Sequence, residues 1–366
     1  MESSLFDPFR DPSLAGALAN EIRRIPVRRA VTLMHVCGTH EHAIARAGLR
    51  SLLPEGVRLI AGPGCPVCVC PARDVDLAIE AAKRERVILA TFGDMFRVPS
   101  SESSFEQTRA EGFDIRVVYS PMDAIALARA HPDREVVFMA VGFETTAAPI
   151  AASLASGPPE NFSIIASLRL IPPALRFLLE RKSGSIDGFI LPGHVSTVIG
   201  KRGYDFIESE FGVPAAIAGF EPIDVLQAVR ELLTQAASGR RGTVVNLYRR
   251  VVHDEGNAAA RETMAHVFDR ADVAWRGIGT IPGSGLVPRG EFVRRDAVTR
   301  LGLAGNREAV DVRPGCQCHL VILGEVEPEA CPLFGGECTP RRPVGPCMVS
   351  SEGTCRARHQ YRPVRS

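Results

Sequence analysis

Eight short apolar segments alternate with longer amphipathic segments along the first two thirds of the chain. Each apolar segment has the length and the β-branched content of a buried strand. They cover residues 30–36, 57–62, 86–92, 115–120, 135–143, 162–168, 186–193 and 213–220. Hydrophobic strands that alternate with helices are typical of parallel sheets covered by helices on both faces. The pattern therefore predicts an α/β fold.

The segments between the strands have helical periodicity, most clearly at 74–85, 122–131 and 222–233. Successive strand starts are about one βα unit apart, and the eight strands fall into two sets of four. We predict two similar four-unit lobes, residues 1–133 and 134–238, with the carboxyl ends of their strands around a shared cleft.

The pattern changes in the last third, residues 239–366. Residues 239–252 and 255–269 predict a linker and a helix, whereas 275–286 is glycine-rich and predicted to be irregular. From residue 311 onward there is little periodicity, so its cysteines would have to organise this domain.

Charge and hydropathy exclude several classes of protein. The net charge of +1 gives no electrostatic case for nucleic-acid binding. No stretch is long and apolar enough to span a membrane, and the N-terminal segment has no secretion-signal pattern. We therefore expect a cytoplasmic protein, in which clustered cysteines indicate metal or redox chemistry more often than structural disulfides.

Six of the ten cysteines lie near the C-terminus. The long stretch between Cys70 and the first of these six contains no cysteine. The six are Cys316, Cys318, Cys331, Cys338, Cys347 and Cys355. They exceed the four ligands that a [4Fe-4S] cluster needs, so four ligands and one redox pair is the simplest division. Spacing alone does not select the four.

Cys37 follows the first predicted strand and precedes a helix, within the sequence CGTHEH. The helix dipole should lower the pKa of this thiol, which favours a reactive or iron-binding thiolate. His40 and His42 add nitrogen ligands or proton carriers. The alternative is a buried cysteine beside two surface histidines.

Cys65 and Cys68 form a C-x-x-C motif after the second strand. This spacing suits a reversible disulfide, and it also suits two ligands of a zinc site. If the first two strands are neighbours, the pair shares a cleft with Cys37. We assign no role to Cys70.

Glu144 follows the fifth strand, at the place that Cys37 has in the first predicted lobe. It is a candidate acid or base, or a hydrogen-bonding group near iron, opposite Cys37. Equally, it can be a helix N-terminal carboxylate that accepts from backbone N–H groups. The segments 192–196 and 219–222 are cleft candidates by position.

Taken together, these motifs resemble the HypD family of hydrogenase maturation factors over nearly the whole chain. The segments that carry the resemblance are CGTHEH (37–42), GPGCPVC (62–68), GFETT (142–146), PGHVS (192–196), GFEP (219–222), WRGIGTIPGSG (275–285), CPLFGGECTP (331–340) and PVGPCMVSSEGTC (343–355).

The resemblance implies two similar α/β domains, a C-terminal iron–sulfur domain and a role in building the Fe(CN)2CO group of [NiFe] hydrogenases. It implies a small HypC-type chaperone and a HypE-type cyanide donor as partners. Cys37 would bind the Fe(II) that carries CN and CO, with His40 close by, and Cys65 and Cys68 would be the redox pair. The implied [4Fe-4S] ligands are Cys316, Cys331, Cys338 and Cys355, with Cys318 and Cys347 as a second thiol pair.

The main hypothesis is a redox-active assembly scaffold without conventional turnover of a free substrate. A rival is a cluster-dependent thiol–disulfide oxidoreductase for another client, which the C-x-x-C motif favours and the CGTHEH motif does not. A third is a binding module held together by zinc.

Overall fold

The computed structural model describes residues 7–181, 186–306 and 308–362, so the first six residues of the N-terminal segment inspected for a secretion signal lie outside it. All eight predicted strands are confirmed, and three more follow them within the described residues. The strands are β1 (Val31–His35), β2 (Val57–Ala61), β3 (Val87–Phe92), β4 (Ile115–Val118), β5 (Glu135–Gly142), β6 (Phe162–Arg169), β7 (Gly188–Pro192), β8 (Ala215–Ala218), β9 (Val244–Asn246), β10 (Phe268–Trp275) and β11 (Gly279–Pro288).

The predicted helices are also present, as α4, α6, α10 and α11. The α-helices are α1 (Pro12–Arg24), α2 (Gly38–Arg46), α3 (Pro66–Val69), α4 (Ala72–Ala82), α5 (Phe105–Ala110), α6 (Pro121–Ala130), α7 (Glu144–Ala155), α8 (Ile171–Glu180), α9 (Gly193–Ile199), α10 (Pro222–Ser238), α11 (Ala258–Val267), α12 (Ala297–Leu301), α13 (Cys318–Ile322), α14 (Pro346–Val349) and α15 (Thr354–Gln360). No helix in the described ranges is long and apolar enough to cross a membrane.

The strands form two sheets, which confirms the α/β fold class. The first sheet is parallel throughout and has the order β2–β1–β7–β8–β9. The second sheet has the order β10–β11–β6–β5–β3–β4. Its strands β6, β5, β3 and β4 are parallel to one another. β10 and β11 form an antiparallel hairpin that extends this sheet beside β6.

The assignment of strands to sheets differs from the predicted grouping by chain order. β1 and β2 share a sheet with β7 and β8, whereas β3 to β6 lie together in the other sheet. The predicted limits at 133/134 and 238/239 therefore do not separate the two sheets, and the grouping was wrong on this point. Successive βα units have similar lengths whichever sheet receives the next strand, so spacing does not encode sheet membership.

Two predictions for the last third are also corrected. The expected linker at 239–252 contributes β9, and the expected irregular segment at 275–286 forms most of β11. Gly285 lies so close to Val273 across the hairpin that a Cβ atom at this position would overlap the valine side chain. The glycines that suggested irregular backbone thus permit close strand packing.

Both sheets contribute one face to a shared core that also contains most of the cysteines. Along β5, Val137 and Met139 point into this core, while Val136 and Phe138 pack on the opposite face with α6 and α7. This period of two follows from strand geometry. The first sheet covers its other face with α1 and α10.

Candidate functional site

Cys37 lies where the ends of β1 and β2 meet. It is the N-cap residue of α2, and the next backbone N–H, that of Gly38, donates to Gly64 O at 3.1 Å. Gly64 packs directly on the Cys37 backbone and leaves no space for a Cβ atom. Parallel pairing of β1 with β2 thus brings the C-x-x-C turn beside Cys37, as the sequence predicted.

The Cys37 thiol is only 8% exposed, and its pKa is raised to about 11. Burial is the main cause, and the nearby Glu352 carboxylate adds to it. Hydrogen bonds from the backbone N–H groups of His40 and Thr39 act in the opposite direction but are weaker. The predicted lowering by the helix dipole was therefore wrong for the metal-free protein. A bound cation would reverse this balance by replacing the proton.

His40 is fully buried and has one ring nitrogen without a partner. Its Nε2 atom bonds Gly219 O at 2.8 Å, while Nδ1 has no hydrogen-bond partner. Since a carbonyl only accepts, Nε2 carries the proton and Nδ1 presents a lone pair. Burial, with contributions from His35 and His194, lowers the pKa of His40 to about 3, so the ring is neutral. A neutral imidazole with a free nitrogen is suited to bind a metal.

A buried ion-pair network that the sequence reading missed supports this segment. Glu41 accepts from His35 Nε2 at 2.7 Å and from Arg50 Nη2 at 2.6 Å. Burial alone would raise the pKa of Glu41, but Arg50 and His35 lower it to about 2. Through Nδ1, His35 also contacts Cys37 O at 3.2 Å. The sequence signal for this network is the spacing of His35 and Glu41 across the end of β1. That spacing alone does not predict an ion pair.

Cys65 and Cys68 are joined in a disulfide at the start of α3, with their Cα atoms 5.3 Å apart. Both residues are buried, and the Cys68 backbone N–H donates to Cys65 Sγ at 3.2 Å. We refer to Cys37, His40, Cys65 and Cys68 as the strand-end site.

Glu144 is buried at the start of α7. Its Oε1 accepts from the Ile171 N–H at 2.9 Å, whereas Oε2 has no partner. Burial raises the pKa of Glu144 to about 7. The buried phenol of Tyr204 lies within electrostatic range of both Glu144 and Cys37, and both raise its pKa. The bond from Ile171 joins Glu144 to the first backbone N–H of α8 rather than to its own helix, and an acid or base role for Glu144 stays a prediction.

All six C-terminal cysteines line a single cavity, which we call the cysteine cavity. Leu333, Phe334, Gly345 and Met348 complete its wall. A Cβ atom on Gly345 would lie 2.8 Å from Cys316 Sγ and 3.3 Å from Cys318 Sγ, so only glycine leaves these sulfur atoms room. Within the described ranges, no three cysteine, histidine or acidic side chains surround a point suited to one metal ion.

The pKa of the Cys318 thiol in this cavity is lowered. Hydrogen bonds from the Cys316 and Cys347 thiols lower its pKa, and the positive charge of Arg276 lowers it further. Conversely, the neighbouring Cys318 and Cys355 thiols, together with burial, raise the pKa of Cys347. Cys318 and Cys347 thus influence each other electrostatically across the same cavity.

The cysteine cavity lies against the strand-end site. Helix α14, which carries Cys347, packs on α3, and helix α15, which carries Cys355, packs on α2. Between these two helices, Glu352 touches Gly38 and accepts a hydrogen bond from Thr39 Oγ1 at 3.0 Å. The two groups of cysteines, far apart in sequence, thus form one continuous region.

Comparison with known proteins shows the family of this chain. Residues 13–362 match the family described as "HypD: Hydrogenase formation hypA family". The chain belongs to the HypD family. It is 46% identical over 365 residues to the hydrogenase maturation factor HypD of Rhodobacter capsulatus, covering 96% of this chain and 97% of the relative. The HypD of Escherichia coli K12 is 43% identical over 366 residues, with 97% of each chain covered.

Two further motifs of the sequence, at 192–196 and 219–222, lie beside His40 of the strand-end site. Phe220 stacks on His194, with ring centroids 3.9 Å apart, and lies 4.9 Å from the His40 ring. His194 is exposed at its outer side. His42 contacts Tyr361 rather than Cys37, with its Nε2 3.0 Å from the tyrosine hydroxyl. The predicted positions 192–196 and 219–222 therefore meet beside His40, whereas His42 belongs to the C-terminal contact.

Proposed function

We propose that this chain is a [NiFe]-hydrogenase maturation scaffold that holds iron while the Fe(CN)2CO group is assembled. Its relatives are named hydrogenase maturation factors, and the similarity extends over nearly their whole length. The observation that carries the proposal is the packing of the cysteine cavity directly onto the helices that present Cys37 and the C-x-x-C pair.

The cysteine cavity suits a [4Fe-4S] cluster held by Cys316, Cys331, Cys338 and Cys355. The space that Gly345 leaves beside the sulfur atoms, and the many thiols around it, support this assignment. When bound, such a cluster would supply single electrons. Cys318 and Cys347, which line the same cavity, are the proposed second thiol pair.

The iron under assembly is the substrate, and we propose that Cys37 Sγ and His40 Nδ1 bind it. Binding requires the Cys37 thiol to lose its proton. Glu352, whose charge acts on the Cys37 thiol and whose own pKa is raised by burial, is the proposed acceptor of that proton. His40 is already neutral and needs no deprotonation. The buried setting keeps bulk water from the half-assembled group.

Cys65 and Cys68 supply a two-electron thiol–disulfide couple next to Cys37, and Glu144 is the proposed acid or base opposite it. We carry the HypC-type chaperone and the HypE-type cyanide donor into this proposal. The exposed residue His194 stacks on Phe220, which contacts His40, and this surface is the proposed place of approach for a partner.

A thiol–disulfide oxidoreductase is the second candidate. The disulfide beside the cysteine cavity favours it. The unpartnered His40 Nδ1 near Cys37 does not, because disulfide exchange has no use for a metal-binding nitrogen at this position.

The test is infrared spectroscopy of the protein purified anaerobically with its chaperone and cyanide-donor partners. We expect stretching bands of iron-bound CO and cyanide in the wild type and their loss in Cys37→Ala. The matched control is Cys70→Ala, which removes a buried thiol bonded to Ser167 and should keep the bands. A cluster without these bands in the wild type would favour the oxidoreductase.

A further inference from the structure

Arg276 is a large, charged side chain that is only 2% exposed. Its guanidinium donates to three backbone carbonyls, those of Cys70, Pro99 and Asp311. Its backbone N–H donates to Val69 O at 2.9 Å. Arg276 therefore binds the backbone at the point where the chain leaves the C-x-x-C helix α3.

The positive charge of Arg276 has no ion-pair partner among the residues that the structure describes. The carboxylate of Asp311, whose backbone carbonyl Arg276 binds, accepts instead from the backbone N–H groups of Ala72 at 2.8 Å and Gly277 at 3.2 Å. An unpaired buried charge is strongly unfavourable, and carbonyl dipoles offset it only in part. An anionic group nearby would balance it.

The neighbours of Arg276 show where that anion belongs. Gly277 packs so tightly on His319 that a Cβ atom would lie 2.6 Å from the His319 Cβ, and His319 directly follows Cys318. The Arg276 guanidinium itself is held at Cys70 O, where the C-x-x-C helix α3 ends. Arg276 thus lies between the end of the C-x-x-C helix and the cysteine cavity.

We propose that the Arg276 guanidinium is the fixed counter-charge of the anionic centre in the cysteine cavity and raises the reduction potential of that centre. The inference rests on the proposed cluster. A cluster held by four thiolates is negative, and it becomes more negative when it gains an electron. A fixed positive charge stabilises the reduced form more than the oxidised form, so Arg276 acts as a positioning residue that tunes electron entry.

The experiment is a mediated dithionite titration of the full chain, followed by electron paramagnetic resonance. One electron passes from dithionite to the centre, and no bond forms or breaks. We expect Arg276→Met to lower the reduced-to-oxidised ratio at a fixed potential about tenfold, equivalent to ~59 mV for a one-electron couple. Arg276→Lys keeps the charge but loses the planar fork, and its potential should stay near that of the wild type.

Arg295→Met is the matched control. Like Arg276, Arg295 is buried, with 3% of its surface exposed. It donates to the backbone carbonyls of Pro158, Pro159 and Phe162, away from the cysteines. The variant should lose stability without a change in potential. If Arg276→Met does not accumulate in folded form, Arg276→Gln replaces it, because glutamine is neutral and still donates to carbonyls.

The outcomes are separable. Equal reduction potentials in the wild type and the neutral variants would overturn the proposal. A reduction-potential shift in Arg276→Lys as large as that in Arg276→Met would also overturn it, because it would show that the hydrogen bonds of Arg276, and not its charge, set the potential. Failure of the wild type to hold about four irons after reconstitution would instead refute the proposed cluster itself.

Discussion

The strand-end site and the cysteine cavity are both rich in buried thiols, but they are held in place differently. Cys37 and the C-x-x-C pair follow two hydrogen-bonded parallel strands, and backbone contacts fix their positions. The cysteine cavity is built from short helices and loops, and none of its lining residues lies in a strand of either sheet. We therefore expect the first site to be preformed by the fold and the second to depend on the group that its cysteines are proposed to bind.

The largest expected effect comes from Cys338→Ser. Loss of this ligand should abolish the cluster and remove hydrogen-exchange protection from residues 311–362, because few regular elements hold that segment. Protection of β1, β5 and β7 should persist, since sheet pairing maintains it. Equal protection of the C-terminal segment in the variant and the loaded wild type would show that it is preformed too.

Gly345→Ala should reduce cluster content in a more limited way. The added methyl group would press on Cys316 Sγ and Cys318 Sγ, which must shift. Gly336→Ala is the matched control, because the nearest atom to its Cβ would be 4.0 Å away. Iron and sulfide analysis after reconstitution compares the two, and equal loading would remove the geometric argument for the cavity.

Gly64→Ala tests the preformed site in the same way. Its methyl group would overlap the backbone at Cys37, and backbone yields less readily than a side chain, so we expect a loss of about 3 kcal/mol in unfolding free energy. Gly16→Ala, where a Cβ atom meets nothing within 4 Å, should stabilise α1 slightly. Urea unfolding measures both, and similar results for the two variants would contradict the interlocked backbone.

Glu144→Gln should have an effect on stability that depends on pH. The folded pKa of about 7 exceeds the usual 4.5, so wild-type stability should fall as pH rises between these values. The amide does not titrate, so the variant should be more stable by up to about 3 kcal/mol near pH 8 and should lose this advantage near pH 5. Urea unfolding at both pH values checks the difference; a constant difference would contradict the raised pKa.

Local signals in the sequence predicted much of this molecule. Hydrophobic runs located all eight strands, and strand ends correctly brought Cys37 beside Cys65. The pairing of β1 with β7 was not predictable, because it joins distant segments of similar composition. The neutral state of His40 and the raised pKa of Cys37 depend on burial by residues such as Phe220 and Glu352, which sequence spacing does not reveal.

The central claim is that the two regions hold two separate iron populations. The most direct test is Mössbauer spectroscopy of the ⁵⁷Fe-labelled protein, co-expressed with its partners, as wild type and Cys37→Ala. We predict that the wild type contains cluster iron and a separate low-spin Fe(II), and that Cys37→Ala loses only the low-spin Fe(II). A variant that keeps the low-spin iron, or loses cluster iron in its place, would contradict the account.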